Sequence, residues 1–148
     1  MREVTLIPFK AEHYAAMDVS DRCRALYRSK AFLRRLRENE CPGLAYTGLV
    51  GDTVVGCGGV KPIWEGVGEA WAVYPEDRAA WRWAIARLTV QVLRRVIQDH
   101  HFHRVQAIVP VNYTPGMRFV RWLGFDLEAR LRKYTPDGED CYLYAWTN

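Results

Sequence analysis

Val67-Gly68-Glu69-Ala70-Trp71-Ala72-Val73-Tyr74 runs into Pro75-Glu76-Asp77-Arg78. The first eight residues carry β-type side chains in alternation and are predicted as a strand. Pro75 and the two carboxylates after it suit the opening of a helix, and residues 78–98 are expected to form the longest helix of the chain. Trp81, Ile85, Leu88, Val92 and Val96 recur at helical spacing and mark its buried stripe. Trp83 falls away from that stripe, with Arg87, Val90 and Arg94.

Upstream of this strand, residues 44–50 and 53–61 are expected to be two further strands. Gly51-Asp52 makes a tight hairpin between them. Gly58-Gly59 inside the second reads as a bulge or a close backbone approach rather than a phosphate loop. Residues 4–9 form a short strand broken by Pro8, followed by a short helix over residues 12–17. Ser20 and Asp21 are N-cap types for a charged helix over residues 21–38, which Cys41-Pro42-Gly43 stops. Cys23, Leu26, Tyr27, Leu33 and Leu36 fall on one face of it, and arginines such as Arg22, Arg28 and Arg35 make a solvated remainder.

Downstream of the long helix, residues 103–109 are expected to be a strand. Thr114-Pro115 supplies an N-cap and a proline at the first helical position, and Gly124 a C-cap. Residues 125–134 and 141–146 form a last hairpin around Pro136-Asp137-Gly138. The expected architecture is a single α/β domain over residues 1–148, a mixed central sheet with helices on both faces.

Composition excludes several classes. The 148 residues are 49% hydrophobic and 26% charged, which is globular and not disordered. Six Trp and eight Tyr point to a core or interface rich in large rings. Cys23, Cys41, Cys57 and Cys141 form no Cys-x-x-Cys pair, so reduced thiols are expected rather than a zinc or disulfide framework. MREVTLIPFK lacks the apolar core of a signal peptide, and no stretch has the roughly 18 apolar residues of a membrane span. The expectation is a soluble cytoplasmic protein without a membrane. Asp99-His100-His101-Phe102-His103 is the histidine cluster, but no further ligands accompany it and no metal is expected. Residues 22–37 and Arg130-Leu131-Arg132-Lys133 are basic. With Glu38 and Glu40 beside the former and a net charge of only +4, nucleic acid is not the expected partner.

Three local patterns occur in a telling order. Val73-Tyr74-Pro75-Glu76-Asp77-Arg78 resembles the Val-x-Pro-x-x-Arg/Gln run of the GCN5-related N-acetyltransferase superfamily. Asn112 through Trp122-Leu123-Gly124-Phe125 resembles its second signature, and Arg132-Lys133-Tyr134 through Tyr142-Leu143-Tyr144 resembles its terminal hairpin. The resemblance implies that Glu69 lies in a central strand that splays from residues 103–109 to admit the arm of acetyl-CoA. It also implies cofactor contacts from Val73, Arg78 and Asn112, and a carboxylate base at Glu69. Three of these have a plainer reading beside them. Glu69 also fits an ordinary polar strand residue, Arg78 a surface arginine, and Asn112 a turn cap.

The chain departs from the family at the positions that matter most. The family run continues with glycines that bare the backbone to pyrophosphate. Aligned from Arg78, those positions carry Trp81 and Trp83, and a third carries Ala79. The family's acid tyrosine aligns with Val120, which holds no proton to give, and Tyr113 is a weak substitute. Trp81 is expected to fill core. Trp83 is expected to cover the pyrophosphate position or to face a partner protein or a second copy. The chain is also similar to short acetyltransferase-like proteins of tailed phages and prophages, which implies a role in particle assembly or host interference. Two functions follow: a non-acetylating binding or assembly protein, and an acetyl-CoA-dependent N-acetyltransferase acting on an amine with Glu69 as base.

Overall fold

The computed structural model of the chain describes residues 3–17 and 30–148. In chain order these form β1 (Thr5–Pro8), α1 (Ala11–Ala15), α2 (Lys30–Glu38), β2 (Ala45–Val50), β3 (Thr53–Trp64), β4 (Val67–Val73), a 3-10 turn (Ala79–Trp81), α3 (Arg82–His100), β5 (Arg104–Pro110), α4 (Thr114–Trp122), β6 (Asp126–Leu131) and β7 (Cys141–Thr147). The expected helix start at Ser20-Asp21, with Cys23, Leu26 and Tyr27, lies outside the described residues. The strands make one seven-stranded sheet in the order β1-β2-β3-β4-β5-β7-β6. It is mixed: β4 and β5, joined through a helix, are parallel, whereas the hairpin neighbours β2/β3 and β6/β7 are antiparallel. The α/β architecture is the one expected.

One compact group of residues comprises Met1–Lys61 and Trp71–Asp99. Its core gathers Phe9, Met17, Leu36, Ala45, Cys57 and Val73, with the Trp71 ring edge-on to Phe9 at 4.8 Å between centroids. In α2 the inward residues are Leu36 and Phe32, one helical turn apart. Leu33 sits about 100° round the helix from Phe32. It is 45% exposed, not part of the apolar face that its sequence suggests. The β2–β3 hairpin closes on the pair Val50 and Thr53, and Gly51 takes the positive φ of 59° that the two-residue turn requires. Gly58 and Gly59 are points of close backbone approach: a Cβ on Gly58 would lie 2.9 Å from the Trp71 carbonyl oxygen, and one on Gly59 would strike Leu44.

α1 is tied to the sheet by hydrogen bonds whose direction can be assigned. His13 Nδ1 accepts the Lys10 N–H at 3.1 Å, so its lone pair is at that nitrogen. Thr47 Oγ1, 2.8 Å away and fully buried, therefore donates to His13, and Cys57 Sγ at 3.5 Å donates in turn to Thr47.

The second group comprises Pro62–Ala70 and His100–Asn148. β4 pairs with β5 through Val67/Arg104, Gly68/Val105 and Glu69/Gln106, and β5 then pairs with β7 along its length. α4 ends in a Schellman motif: Gly124, at φ 98°, donates to Arg121, and Phe125 donates to Val120. Phe125 is buried, so the Gly-Phe signature is a helix stop followed by a core anchor. The helix begins at Thr114 itself, with Tyr113 as an N-cap that makes no side-chain cap bond. The expected N-cap at Thr114 is thus one residue late. In β7, Tyr144 is wholly buried, Arg121 lies 5.9 Å over its ring, and its hydroxyl has no hydrogen-bond partner among the described residues. A buried unbonded hydroxyl costs free energy, so Tyr144→Phe is expected to be neutral or to stabilise by up to about 1 kcal/mol in urea melts. A loss of about 1 kcal/mol or more would show that the hydroxyl bonds an ordered water.

Candidate functional site

The expected site centres on the passage from β4 into α3, within the first group of residues. Val73 ends β4 and is buried. Residues 74–78 then form an irregular loop, a 3-10 turn follows, and α3 begins only at Arg82. The expected helix start at Arg78 is corrected by these four residues, and its end moves from Gln98 to His100. The loop has a fixed shape because Tyr74 is pinned. A Cβ on Gly56 would lie 3.0 Å from the Tyr74 ring, so the ring lies close against bare backbone. Its hydroxyl is 2.9 Å from Thr89 Oγ1, which itself donates to the Ile85 carbonyl at 2.8 Å. Tyr74 is therefore the donor to Thr89.

Arg78 caps the 3-10 turn without a side-chain cap bond, and its guanidinium Nη1 donates to the Pro75 carbonyl at 3.4 Å. Trp81 closes the turn and is half-buried, less than the core position expected for it. The wholly inward residues of α3 are Ile85 and Val96; Leu88 and Val92 of the expected stripe are half-buried, and Trp81 lies in the 3-10 turn ahead of the helix. Trp83 is 71% exposed, with the Arg82 guanidinium 5.4 Å over its ring. It points outward, as its spacing with Arg87 and Arg94 implies. Trp81→Ala is accordingly expected to cost about 2 kcal/mol, below the roughly 3–5 of a fully buried tryptophan. Trp83→Ala is expected to cost under about 0.5 kcal/mol. Equal losses in denaturant melts would overturn this assignment of faces.

The remaining expected residues lie in the second group. Glu69 is half-buried in β4, the fourth strand of seven, and its register partner in β5 is Gln106. Gln106 Oε1 accepts from Arg104 Nε and Nη2 at 3.3 and 3.2 Å. Arg104 also forms a 2.7 Å ion pair with Glu128. That bond lowers the Glu128 pKa and raises that of Arg104. The paired register described above ends at Glu69, whereas β4 continues to Val73 and β5 to Pro110. Asn112 is exposed in the turn where Tyr113 N–H bonds the Pro110 carbonyl. Val120 is half-buried on α4, with its carbonyl committed to Phe125. The histidines separate: His101 takes a positive φ at the end of α3, His100 lies against Phe102, and the His103 ring packs under Gly66. Among the described residues no three His, Cys, Asp or Glu side chains come together, and no helix is long and apolar enough to cross a membrane.

Sequence comparison finds no matching protein-family model and no matching curated protein. Comparison of structures does. Ard1 from Thermoplasma volcanium superposes with a TM-score of 0.80 at 16% identity, covering 97% of each chain. An acetyltransferase of the GNAT family from Bacillus anthracis gives 0.75 at 17% identity, over 99% of this chain and 96% of that one. The ribosomal-protein-S5-alanine acetyltransferase of Vibrio fischeri gives 0.72 at 16%, over 100% and 94%. The fold is that of the GCN5-related N-acetyltransferases.

The family resemblance implies a grip on acetyl-CoA pyrophosphate by bare backbone at this helix entry. Residues 78–83 do not fit that task. They contain no glycine, and the aligned glycine positions carry a half-buried and an exposed indole. The side chains that the fold would need to omit are the largest available. The entry does keep the right sign of charge, since Arg78 and Arg82 flank the turn and its first residues include no carboxylate.

Proposed function

We propose that this chain is a non-acetylating binding protein built on the acetyltransferase fold. The observation that carries the reading is the pair Trp81 and Trp83 at the positions where pyrophosphate requires glycine. Val120 supports it, because an isopropyl group stands where the family resemblance calls for an acid tyrosine. The resemblance to short phage proteins favours a setting in the cytoplasm of an infected bacterium, in particle assembly or host interference.

Titration calorimetry with acetyl-CoA tests this. Binding is expected to be poorer than about 1 mM, worth no more than about 4 kcal/mol. Micromolar binding abolished by Arg78→Ala would overturn it. That result would favour a second reading, an N-acetyltransferase with Glu69 as general base. The half-buried place of Glu69 on a central strand is the feature that favours it. The discriminating variant is then Glu69→Gln, which should abolish acetyl transfer while leaving cofactor binding intact.

A further inference from the structure

We propose that the concavity at the β6–β7 hairpin binds a small organic phosphate, with Arg132 and Lys133 as its cations and Tyr134 as its ring contact. The site is separate from the α3 entry and does not depend on the binding-protein reading above. The concavity measures about 640 Å³ and is lined by Arg130, Leu131, Arg132, Lys133 and Tyr134. The carboxylate bonded to this lining is already used. Asp140 Oδ2 accepts from Arg130 Nε at 2.8 Å, and its Oδ1 accepts the Lys133 N–H at 2.9 Å. The Lys133 N–H and the Arg130 guanidinium hold the Asp140 carboxyl below the usual carboxylate range, and Arg132 adds to this by charge alone. Arg130 also lies 5.8 Å over the Tyr142 ring. Among the described residues the side chains of Arg132 and Lys133 make no hydrogen bond or ion pair, and both are exposed.

Backbone conformation singles out Lys133. It stands at φ 53°, in the left-handed region that costs free energy for a residue with a side chain. The same hairpin meets that need with a glycine at Gly138, φ 79°. A lysine held where glycine is easier is local strain of the kind that collects at ligand clamps. Three features then select the ligand. Arg132 and Lys133 together match the nearly dianionic charge of a phosphate monoester, whose terminal oxygens accept from both. Leu131 and the 45% exposed Tyr134 ring offer the organic part an apolar contact. Finally, the cations are confined to residues 130–133, between Asp126 and Glu128 before them and Asp137 and Glu139 after them. A nucleic-acid backbone running either way would meet acid, whereas a single phosphate would not.

The test is an NMR titration of the full chain with phenyl phosphate, followed at the backbone amides. Saturable shifts are expected at residues 130–134, with a Kd of about 1 mM or tighter. Benzenesulfonate, a monoanion of similar shape, should bind several-fold more weakly. Affinity for phenyl phosphate should fall about tenfold or more in the double variant Arg132→Gln/Lys133→Gln and several-fold in Tyr134→Ala. Lys133→Gly separates binding from folding. It should lower affinity several-fold while the melting temperature stays unchanged or rises, because glycine accepts the left-handed turn. The control Arg94→Gln/Arg95→Gln, at exposed positions of α3, should bind like the wild type. Thermal melts check that each variant folds. No saturable shift, shifts that survive in the double variant, an equal loss in the control, or benzenesulfonate binding as tightly would overturn the proposal. So would a Lys133→Gly variant that keeps full affinity or melts lower, and so would oligo-dT binding more tightly at the same residues. Acetyl-CoA calorimetry tests the other reading alone, since micromolar binding lost in Arg78→Ala defeats that reading and leaves the hairpin result standing.

Discussion

Gly59→Ala is expected to lose about 3 kcal/mol or more of folding stability, and Gly116→Ala about 1 kcal/mol or less. Neither glycine has a positive φ, so backbone conformation permits alanine at both and only space decides. At Gly59 the added Cβ would overlap the Leu44 carbonyl oxygen and lie 2.6 Å from the Cα of Ala45, its own register partner. Those atoms are backbone, and the same carbonyl accepts the Val60 N–H at 2.9 Å. Relief means pulling β2 off β3 and breaking that bond. At Gly116 the first atoms met are of the Tyr113 ring, at 2.5 Å, and Tyr113 is 39% exposed on a turn. These are side-chain atoms, as is Val109 Cγ1 at 3.0 Å, and side chains yield where backbone cannot. Urea melts of both variants give the comparison directly, and a Gly59→Ala loss no larger than that of Gly116→Ala would refute it.

Much of the fold was legible because its strongest devices are local. The hairpin at Gly51-Asp52 needed only a residue tolerant of positive φ between two β-type runs. The stop at Gly124 needed only a glycine after a periodic segment, followed by a buried Phe125. What could not be read depends on packing. β3 runs on to Trp64, three residues beyond its expected end. Leu33 counted as apolar in sequence, yet Phe32 and Leu36 took the inward positions of α2. The late start of α3 has the same origin: Tyr74 must reach both Gly56 and Thr89, and the loop that allows this delays the helix.

At the candidate site the sequence was informative by subtraction. The family resemblance marks Ala79, Trp81 and Trp83 as departures from expected glycines, and Val120 as a departure from an expected acid. The outward course of Trp83 also followed from its spacing with Arg87 and Arg94. The half-burial of Trp81 did not, and Trp81 lies in the 3-10 turn ahead of the helix. The pin of Tyr74 on Thr89 was missed altogether. Its signal was a Gly56 at an inner strand position and a threonine four residues after Ile85, and neither means anything until the strand and helix are placed together. The chain from Cys57 through Thr47 to His13 was hidden for the same reason, since its members come from three separate elements.

That buried chain carries the other large expected effect, a loss of stability in alkali. Cys57 is 4% exposed, and burial pushes its thiol from about 9 up to about 11. The native state thus keeps its proton in a range where the unfolded thiol has lost it. The unfolded chain binds fewer protons there, so stability must fall as pH rises through that range. A difference of about two pK units corresponds to about 3 kcal/mol, lost between about pH 9 and 11 and absent below about pH 8. Cys57→Ser supplies the control, because a serine hydroxyl can donate to Thr47 and does not ionise in this range. Other groups titrate in alkali in both proteins and cancel in the difference. In urea melts from about pH 7 to 11, the wild type should lose about 2–3 kcal/mol more than Cys57→Ser. Parallel pH profiles for the two proteins would mean that Cys57 ionises as readily in the fold as in the unfolded chain, and that its seat beneath Thr47 admits water.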